Sequence, residues 1–374
     1  MLEVNDSIVN LNKQEIADNL LYYNYNIKHL LSLIKMKISE DDIKYVSAYR
    51  SFEGEVFENF MYEKLLVYAK NNKYIEKFIL KGPHQNRKYN HNNTLSISEQ
   101  SQIVYRTKTR EISEFDAMMF TKNDLYFVEI TLVKSVAKLK KRLRKKQALL
   151  EIIFPNYNIK ALIILNEGVV GVKQLPKYCT VWITKPFSAK DVLEYLRSKQ
   201  KALKKPKQIF TNKKFIEACE LRIFPFKYYN VLSWITSSLR LKNQDVIDVD
   251  FLVSPIVQRY HNLYSKFYIG YMSGKEFCSI YDYDIDDKQD VVVAIEKKHT
   301  GVMVLTYYIQ YSRKKLQYLF FDKNDVMQVE KKDPYGITTT EVYHIARMMD
   351  KRYVLTVGEI QRVQSMLSSI ILAT

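Results

Sequence analysis

The chain has little cysteine, glycine or proline. Its three cysteines, Cys179, Cys219 and Cys278, lie dozens of residues apart and form no CxxC pair, which excludes a disulfide framework and a cysteine zinc cluster. Nine glycines and eight prolines among 374 residues are too few for a collagen-like, linker-rich or low-complexity chain. Long apolar runs are also missing. ALIIL at 161–165 and SSIILA near the end fall far short of the ~20 residues that cross a bilayer. The opening MLEVNDSIVNLNK carries Glu3 and Asp6 where a secretion signal needs a basic start and an apolar run. The expectation is therefore no membrane segment, no signal peptide and a reducing, cytoplasmic setting.

Several chemistries lack their residues. The six histidines (His29, His84, His91, His261, His299 and His344) show no HxxxH and no cysteine partner at zinc spacing. No GxxxxGK[ST], GxGxxG or GxSxG occurs, which argues against nucleotide hydrolysis, a dinucleotide cofactor and a serine hydrolase. Asp282, Asp284 and Asp286 begin like a calcium loop, but Asp287 and Val293 stand where that loop needs Gly and Glu.

Aromatic surface and positive charge are abundant. With 29 Tyr, 18 Phe and 47% hydrophobic residues the chain can bury a large core, and its length exceeds the roughly 250 to 300 residues at which one core stops growing. Two domains follow. The net charge is +17; residues 1–200 hold 32 basic against 22 acidic side chains, and 201–374 hold 26 against 19. Both halves favour a polyanion such as nucleic acid.

Residues 13–36 show a mostly helical pattern before the acidic break at Glu40, Asp41 and Asp42, giving a helical lead-in over 1–47. From Gly54 to Lys70, Phe57, Phe60, Met61, Leu65 and Tyr68 form one helical stripe. The polar stretch 82–100 reads as a long loop. Two apolar runs, 114–120 and 125–133, flank Thr121–Asp124 as a hairpin. A helix follows with Val136, Leu139, Leu143, Leu150 and Phe154 on one stripe, then strands at 159–165 and 179–185 and a helix at 188–200 capped by Ser188. The order predicts an α/β domain over 48–200, a mixed central sheet flanked by helices. Between Arg197 and Lys214 lie eight basic residues, no acidic one and Pro206, which places a basic linker at 201–214. Beyond it, strands at 266–272, 290–296, 302–311 and 316–321 and two late helices predict an α+β domain over 215–374, with no motif tied to a chemistry.

If Phe120 faces Leu125, paired numbers in the hairpin sum to a constant. Asp116 then lies opposite Glu129 and Glu114 opposite Thr131, all four on one face. Opposed carboxylates repel, and a divalent cation is the usual remedy. The plain alternative is two solvated side chains at a sheet edge.

The segment SEFDAMMFTKNDLYFVEITLVKS resembles the core of the PD-(D/E)xK nuclease superfamily, the restriction-endonuclease-like fold, in which a GEIDLI-type strand, a short turn and a strand ending in VEVK follow one another. The likeness extends over about residues 48–200, with GEVFENF standing for the preceding helix that often carries a metal-site Glu. It implies that Asp116, Glu129 and the carbonyl of Ile130 ligate Mg²⁺ or Mn²⁺, and that Glu58 orients a water or completes a second metal site. Glu55 shares the flank of Glu58, and a solvated helix residue is its plain alternative.

The family lysine is replaced by Thr131, which cannot supply a cation. Some branches, including the cap-snatching endonucleases of segmented negative-strand RNA viruses, carry that lysine on the next helix. Here Lys134, Lys138, Lys141 and Lys145 fall at spacings of 4, 3 and 4, one helical stripe, with Lys134 and Lys141 the expected catalytic cations and a solvated basic face the alternative. Gln147 falls on the apolar stripe of Leu143 and Leu150, as a metal-site neighbour or a core amide. Eight basic residues lie between Lys134 and Lys146, suited to salt-sensitive phosphate contact.

The expected function is a metal-dependent nuclease acting on nucleic acid, DNA ahead of RNA. The alternative is a catalytically inactive nuclease fold that only binds nucleic acid, or a scaffold whose charge serves solubility. The C-terminal domain is left as a platform for nucleic acid, a protein or a signal molecule, and self-association stays open.

Overall fold

A computed structural model describes residues 18–85, 92–108, 110–198, 212–221, 226–241, 244, 246–264, 266–298, 301–312, 315–321, 327–330 and 339–372. The chain divides into two compact units, residues 1–226 and 227–374. The fold is α/β, with a mixed sheet flanked by helices in the first unit and antiparallel sheets in addition.

Unit 1 begins with helix α1 (Lys28–Lys35) and the long helix α2 (Ile43–Asn71). The acidic break read before α2 is partly its cap: the Asp42 side chain accepts from the Lys44 N–H. α2 is apolar on two sides. Phe57, Met61, Leu65 and Tyr68 face the sheet, while Tyr45, Phe52 and Val56 pack with Leu20, Tyr25, Leu30 and Leu33 of the lead-in. The boundary expected at 47/48 therefore falls inside one helix, and the lead-in shares its core with the domain. The start of the lead-in, residues 1–17, lies outside the described residues.

Strands β1 (Lys77–Ile79), β2 (Thr94–Ile97), β3 (Ile103–Arg106), β4 (Glu111–Phe115), β5 (Ala117–Phe120) and β6 (Asp124–Thr131) come next. The stretch read as a long loop at 82–100 thus contains β2, whose Leu95 and Ile97 are buried. Helix α3 (Leu139–Ile153), strands β7 (Asn158–Asn166) and β8 (Cys179–Thr184), helix α4 (Lys190–Ser198) and strand β9 (Phe215–Ile216) complete the unit. The main sheet has the order β8-β7-β6-β5-β1-β9, with β6, β7 and β8 parallel and β5 antiparallel to both its neighbours. β9 pairs parallel with β1, so residues 215–226 belong to unit 1. Residues 201–211 of the expected linker lie outside the described residues.

Side-chain alternation splits this sheet between two layers. Ala117, Met119, Tyr126, Val128 and Ile130 pack against α2, and the other face, with Phe120 edge-on to Phe154, lies under α3. Each large apolar side chain so buried stabilises by about 1.5–3 kcal/mol. The apolar run at 114–120 is two strands. β4 leaves the main sheet to pair with β3 in a three-stranded antiparallel sheet, β2-β3-β4, and the chain changes sheets at Asp116. Glu114 accordingly lies opposite Val104 rather than Thr131.

Unit 2 is α+β. Helices α5 (Tyr228–Ser238), α6 (Val249–Val253) and α7 (Pro255–Leu263) precede β10 (Lys266–Ser273) and α8 (Gly274–Ile280). Strands β11 (Asp290–Lys297), β12 (Met303–Ser312), β13 (Lys315–Phe321) and β14 (Met327–Glu330) continue an antiparallel meander from β10, before α9 (Thr339–Asp350) and α10 (Val357–Leu372). Ser273 caps α8 in a reciprocal box with Glu276. No helix among the described residues is long and apolar enough to cross a membrane.

Two buried histidines tie unit 2 to pH. Burial lowers His261 to about 3 and His344, whose Nε2 lies 3.1 Å from the Thr236 hydroxyl, to about 4. Both are neutral when folded and bind protons below about 6.5 when unfolded. Their stabilisation is therefore complete above pH 6.5 and lost as the pH falls towards 4. Urea unfolding of a Trp182→Phe variant, followed through Trp234 of unit 2, should show this decline. His344→Gln should reduce it by at least about 1 kcal/mol, and an unchanged slope would place the acid sensitivity elsewhere.

Candidate metal and phosphate site

The change of sheet at Asp116 leaves the end of β6 beyond Val128 without a partner on the β5 side, and side chains from several elements meet there. Glu58 arrives from α2, Glu114 and Asp116 from the strand break, and Glu129 from the end of β6. Oxygens of Glu58, Glu114 and Asp116 lie within 4.8 Å of one another, the one such cluster of metal-ligating side chains among the described residues. Asp116 is fixed by its Oδ2, which accepts the Ile130 N–H at 2.6 Å. The paired register ends with Ala117 opposite Val128, and Asp116 lies just beyond it, tied to β6 by this side-chain bond.

Glu129 does not join the three-carboxylate cluster. Its Oε2 accepts from Lys146 Nζ at 2.5 Å, and its Oε1 from Arg142. Lys146 and Glu129 are both buried, and the ammonium also lies over the Phe115 ring. The expected ligand set of Glu58, Asp116, Glu129 and the Ile130 carbonyl is thus revised. The structure brings Glu114 into the cluster and commits Glu129 to two cations. Ile130 lines the site, with its N–H engaged by Asp116.

The expected cations are redistributed as well. Helix α3 starts at Leu139, so Lys134 precedes it and is exposed, its carbonyl accepting from Val170 in a short parallel bridge. The four-lysine stripe is not one helical face. Lys138, Lys141 and Lys145 line the same cavity of about 620 Å³ as the carboxylates, with Arg142, Lys146 and Thr131; Lys134 does not. On α3 it is Lys146 whose ammonium pairs with Glu129. Its position was legible in part: Leu139, Leu143, Lys146 and Leu150 are spaced 4, 3 and 4, so a lysine occupies an apolar slot. Gln147, assigned to that slot from the sequence, is only half-buried.

On the opposite flank Glu58 is ion-paired with Lys81, which follows β1 and is almost fully buried. No sequence signal marked Lys81. Its N–H donates to the Tyr62 hydroxyl at 2.9 Å, and its ammonium lies 5.1 Å from the centre of that ring.

Burial raises three of the carboxylates. Burial pushes Glu58 up to about 7, opposed by Lys81 and reinforced by Asp116 and Glu114. Burial and then Asp116 raise Glu114. Burial raises Glu129, with Lys146 opposing. Lys145 is lowered by burial and by Arg110 and Lys141 beside it.

The unfolded chain releases the Glu58 proton near pH 4.5, whereas the folded, metal-free protein keeps it to about 7. Unit 1 should therefore lose stability as the pH rises from about 4.5 through about 7, opposite in sign to the histidine effect in unit 2. Urea unfolding in a chelator, followed through Trp182 in a Trp234→Phe background, should show this slope, and Glu58→Gln should flatten it. An equal slope in both proteins would refute the assignment.

Three carboxylates converging beside a backbone break form a hard-oxygen donor set of the kind Mg²⁺ and Mn²⁺ take, and a dication relieves the repulsion that raises Glu58 and Glu114. The residues therefore fit such an ion. Comparison with known families, curated proteins and solved structures finds no match for this chain.

Proposed function

We propose that unit 1 is a divalent-metal-dependent nuclease of the PD-(D/E)xK kind, hydrolysing phosphodiester bonds of nucleic acid, with DNA favoured over RNA as substrate. One observation carries this reading: three acidic side chains within 4.8 Å share a cavity with a buried lysine held by a fourth. Glu58, Glu114 and Asp116 would hold Mg²⁺ or Mn²⁺. When bound, the ion would lower the pKa of a water and stabilise charge on the phosphoryl group.

The remaining chemistry belongs to the chain. Glu129 holds Lys146 on one oxygen and Arg142 on the other, and the ammonium provides a fixed positive charge where Thr131 provides none. Lys138, Lys141 and Lys145 on the same cavity wall suit the phosphates on either side of the scissile bond. A binding platform without chemistry would not need a buried ammonium locked onto a buried carboxylate, at a desolvation cost of several kcal/mol per ion.

The test is a cleavage screen on single- and double-stranded DNA and RNA with Mg²⁺, Mn²⁺ or chelator. Metal-dependent cleavage of at least one form is expected. Binding without cleavage under every condition would return the protein to the platform reading, and no salt-sensitive binding at all would leave the charge serving solubility.

A further inference from the structure

We propose that the β3–β4 turn and helix α3 form a phosphate subsite on the cavity wall, in which Arg110, Lys141 and Lys145 close on a single phosphate of a nucleic-acid strand. It rests on the reading of unit 1 as a protein that engages nucleic acid, and is independent of whether a metal ion binds or the strand is cut.

The three cations come from two elements. Lys141 and Lys145 are four residues apart on α3 and share a face that lines the cavity. Lys146, the next residue, is turned by about 100° to reach Glu129. Arg110 comes from the small sheet, where it and Thr107 close the β3–β4 hairpin. The Thr107 N–H donates to the Arg110 carbonyl at 2.8 Å, and the Thr107 hydroxyl donates to the same carbonyl at 2.9 Å. The Arg110 N–H donates back to that hydroxyl at 3.2 Å, and Thr107 itself is buried. Just beyond the turn, Tyr105 faces Ser113 and Arg106 faces Glu111, so Ile112 is an extra residue on β4. Such a bulge bends its strand and increases the twist. Ile112 and Ser113 then line the cavity with α3, and Arg110 stands near enough to Lys145 to act on its charge.

Three like charges are costly in a recess. Burial disfavours the Lys145 ammonium, and Arg110 and then Lys141 add to that effect. The carboxylates of the cavity meet other cations: Glu58 is paired with Lys81, Glu129 with Lys146 and Arg142, and Glu114 feels Lys146 and Lys81. A phosphate among Arg110, Lys141 and Lys145 turns the repulsion into attraction, with charge-assisted hydrogen bonds from one guanidinium and two ammoniums. An internal diester offers one charge, and a terminal phosphate three free oxygens and nearly two charges, so both sources fit.

The test is binding of a fluorescein-labelled single strand and a duplex to full-length protein in chelator, followed by anisotropy over a range of salt. Arg110→Gln and Lys145→Gln should each weaken binding, whereas Lys140→Gln, whose lysine reaches out to Gln174, should not. Cations that share one phosphate are coupled, so the double variant should lose less than the product of the two single losses. Its slope of log K against log salt should fall by about 0.9 on duplex or about 0.7 on single strand, the value of one phosphate. Thr107→Val keeps every charge but unties the turn, and should weaken binding as Arg110→Gln does. Strands with and without a terminal phosphate identify the source: a preference for the phosphorylated strand that Arg110→Gln removes marks the terminal group, and equal binding marks the backbone. Independent losses whose slopes sum to two phosphates would overturn the shared subsite, as would unchanged binding by the Arg110 and Lys145 variants. Either result leaves the nuclease reading intact, whereas a wild type that binds no nucleic acid removes both.

Discussion

Lys146→Met should lower turnover at saturating substrate by a hundredfold or more, whereas Lys134→Ala and Lys140→Ala should leave it near the wild-type value. Lys146 is buried and its ammonium sits on Glu129, whereas Lys134 is exposed ahead of α3 and Lys140 reaches out to Gln174. One positioned group that stabilises developing charge contributes about 3–4 kcal/mol, a factor of a hundred or more in rate. One phosphate-binding lysine among several contributes a modest, salt-dependent affinity instead. Measuring at saturation keeps the two apart. Because Lys146→Met leaves Glu129 with Arg142 alone, part of the loss could come from unfolding, since breaking a buried pair costs about 3–5 kcal/mol. Thermal unfolding of each variant separates these causes, and Lys146→Arg, which keeps the charge on a different geometry, should fold while turning over slowly. Equal turnover by the Lys146, Lys134 and Lys140 variants would remove Lys146 from the chemistry.

Asp116→Asn should abolish both cleavage and the stabilisation of the protein by Mn²⁺, without harming the metal-free fold. The amide oxygen can still accept the Ile130 N–H, so the bond that closes the strand break survives. The lost charge is one of those raising Glu58 and Glu114, so the metal-free variant should unfold at the same or a higher temperature than wild type at pH 8. A ligand that binds only the folded state stabilises it by about 2.7 kcal/mol at a concentration of one hundred times Kd. Wild type should show a gain of that order in Mn²⁺ and the variant close to none. Nucleic-acid affinity should stay level or rise, since a negative charge has left a phosphate-facing surface. A variant that Mn²⁺ stabilises as fully as wild type would place the ion elsewhere.

Much of the architecture is written in short-range pattern. Two apolar runs, AMMF and LYFVEIT, flank the turn residues Thr121–Asp124, and the hairpin read from them forms with Phe120 facing Leu125. The mainly apolar runs at 159–165 and 179–185 became the parallel strands β7, largely buried, and β8, a half-buried edge strand with Ile183 exposed. The main departures have one cause: local pattern says which residues are apolar, and not what they pack against. β2 and β3 are four residues each, too short for periodicity to mark, and depend on each other and on β4. Residues 215–216 follow a basic, proline-containing stretch, yet pair with β1 far back in the chain.

The same division holds at the site. Sequence alone put Asp116 and Glu129 at the same end of one hairpin, and it determined that Thr131 cannot act as a cation. Tertiary structure decided what each does. The sheet change at Asp116 drew Glu114 into the acidic cluster; the axial position of α3 along β6 gave Glu129 to Lys146 rather than to Lys134 or Lys141; and the turn after β1 brought Lys81 to Glu58 across 23 residues of sequence. Charge pairing acts over a few ångströms and is indifferent to chain distance, so which ammonium meets which carboxylate is fixed only when helices and strands have packed.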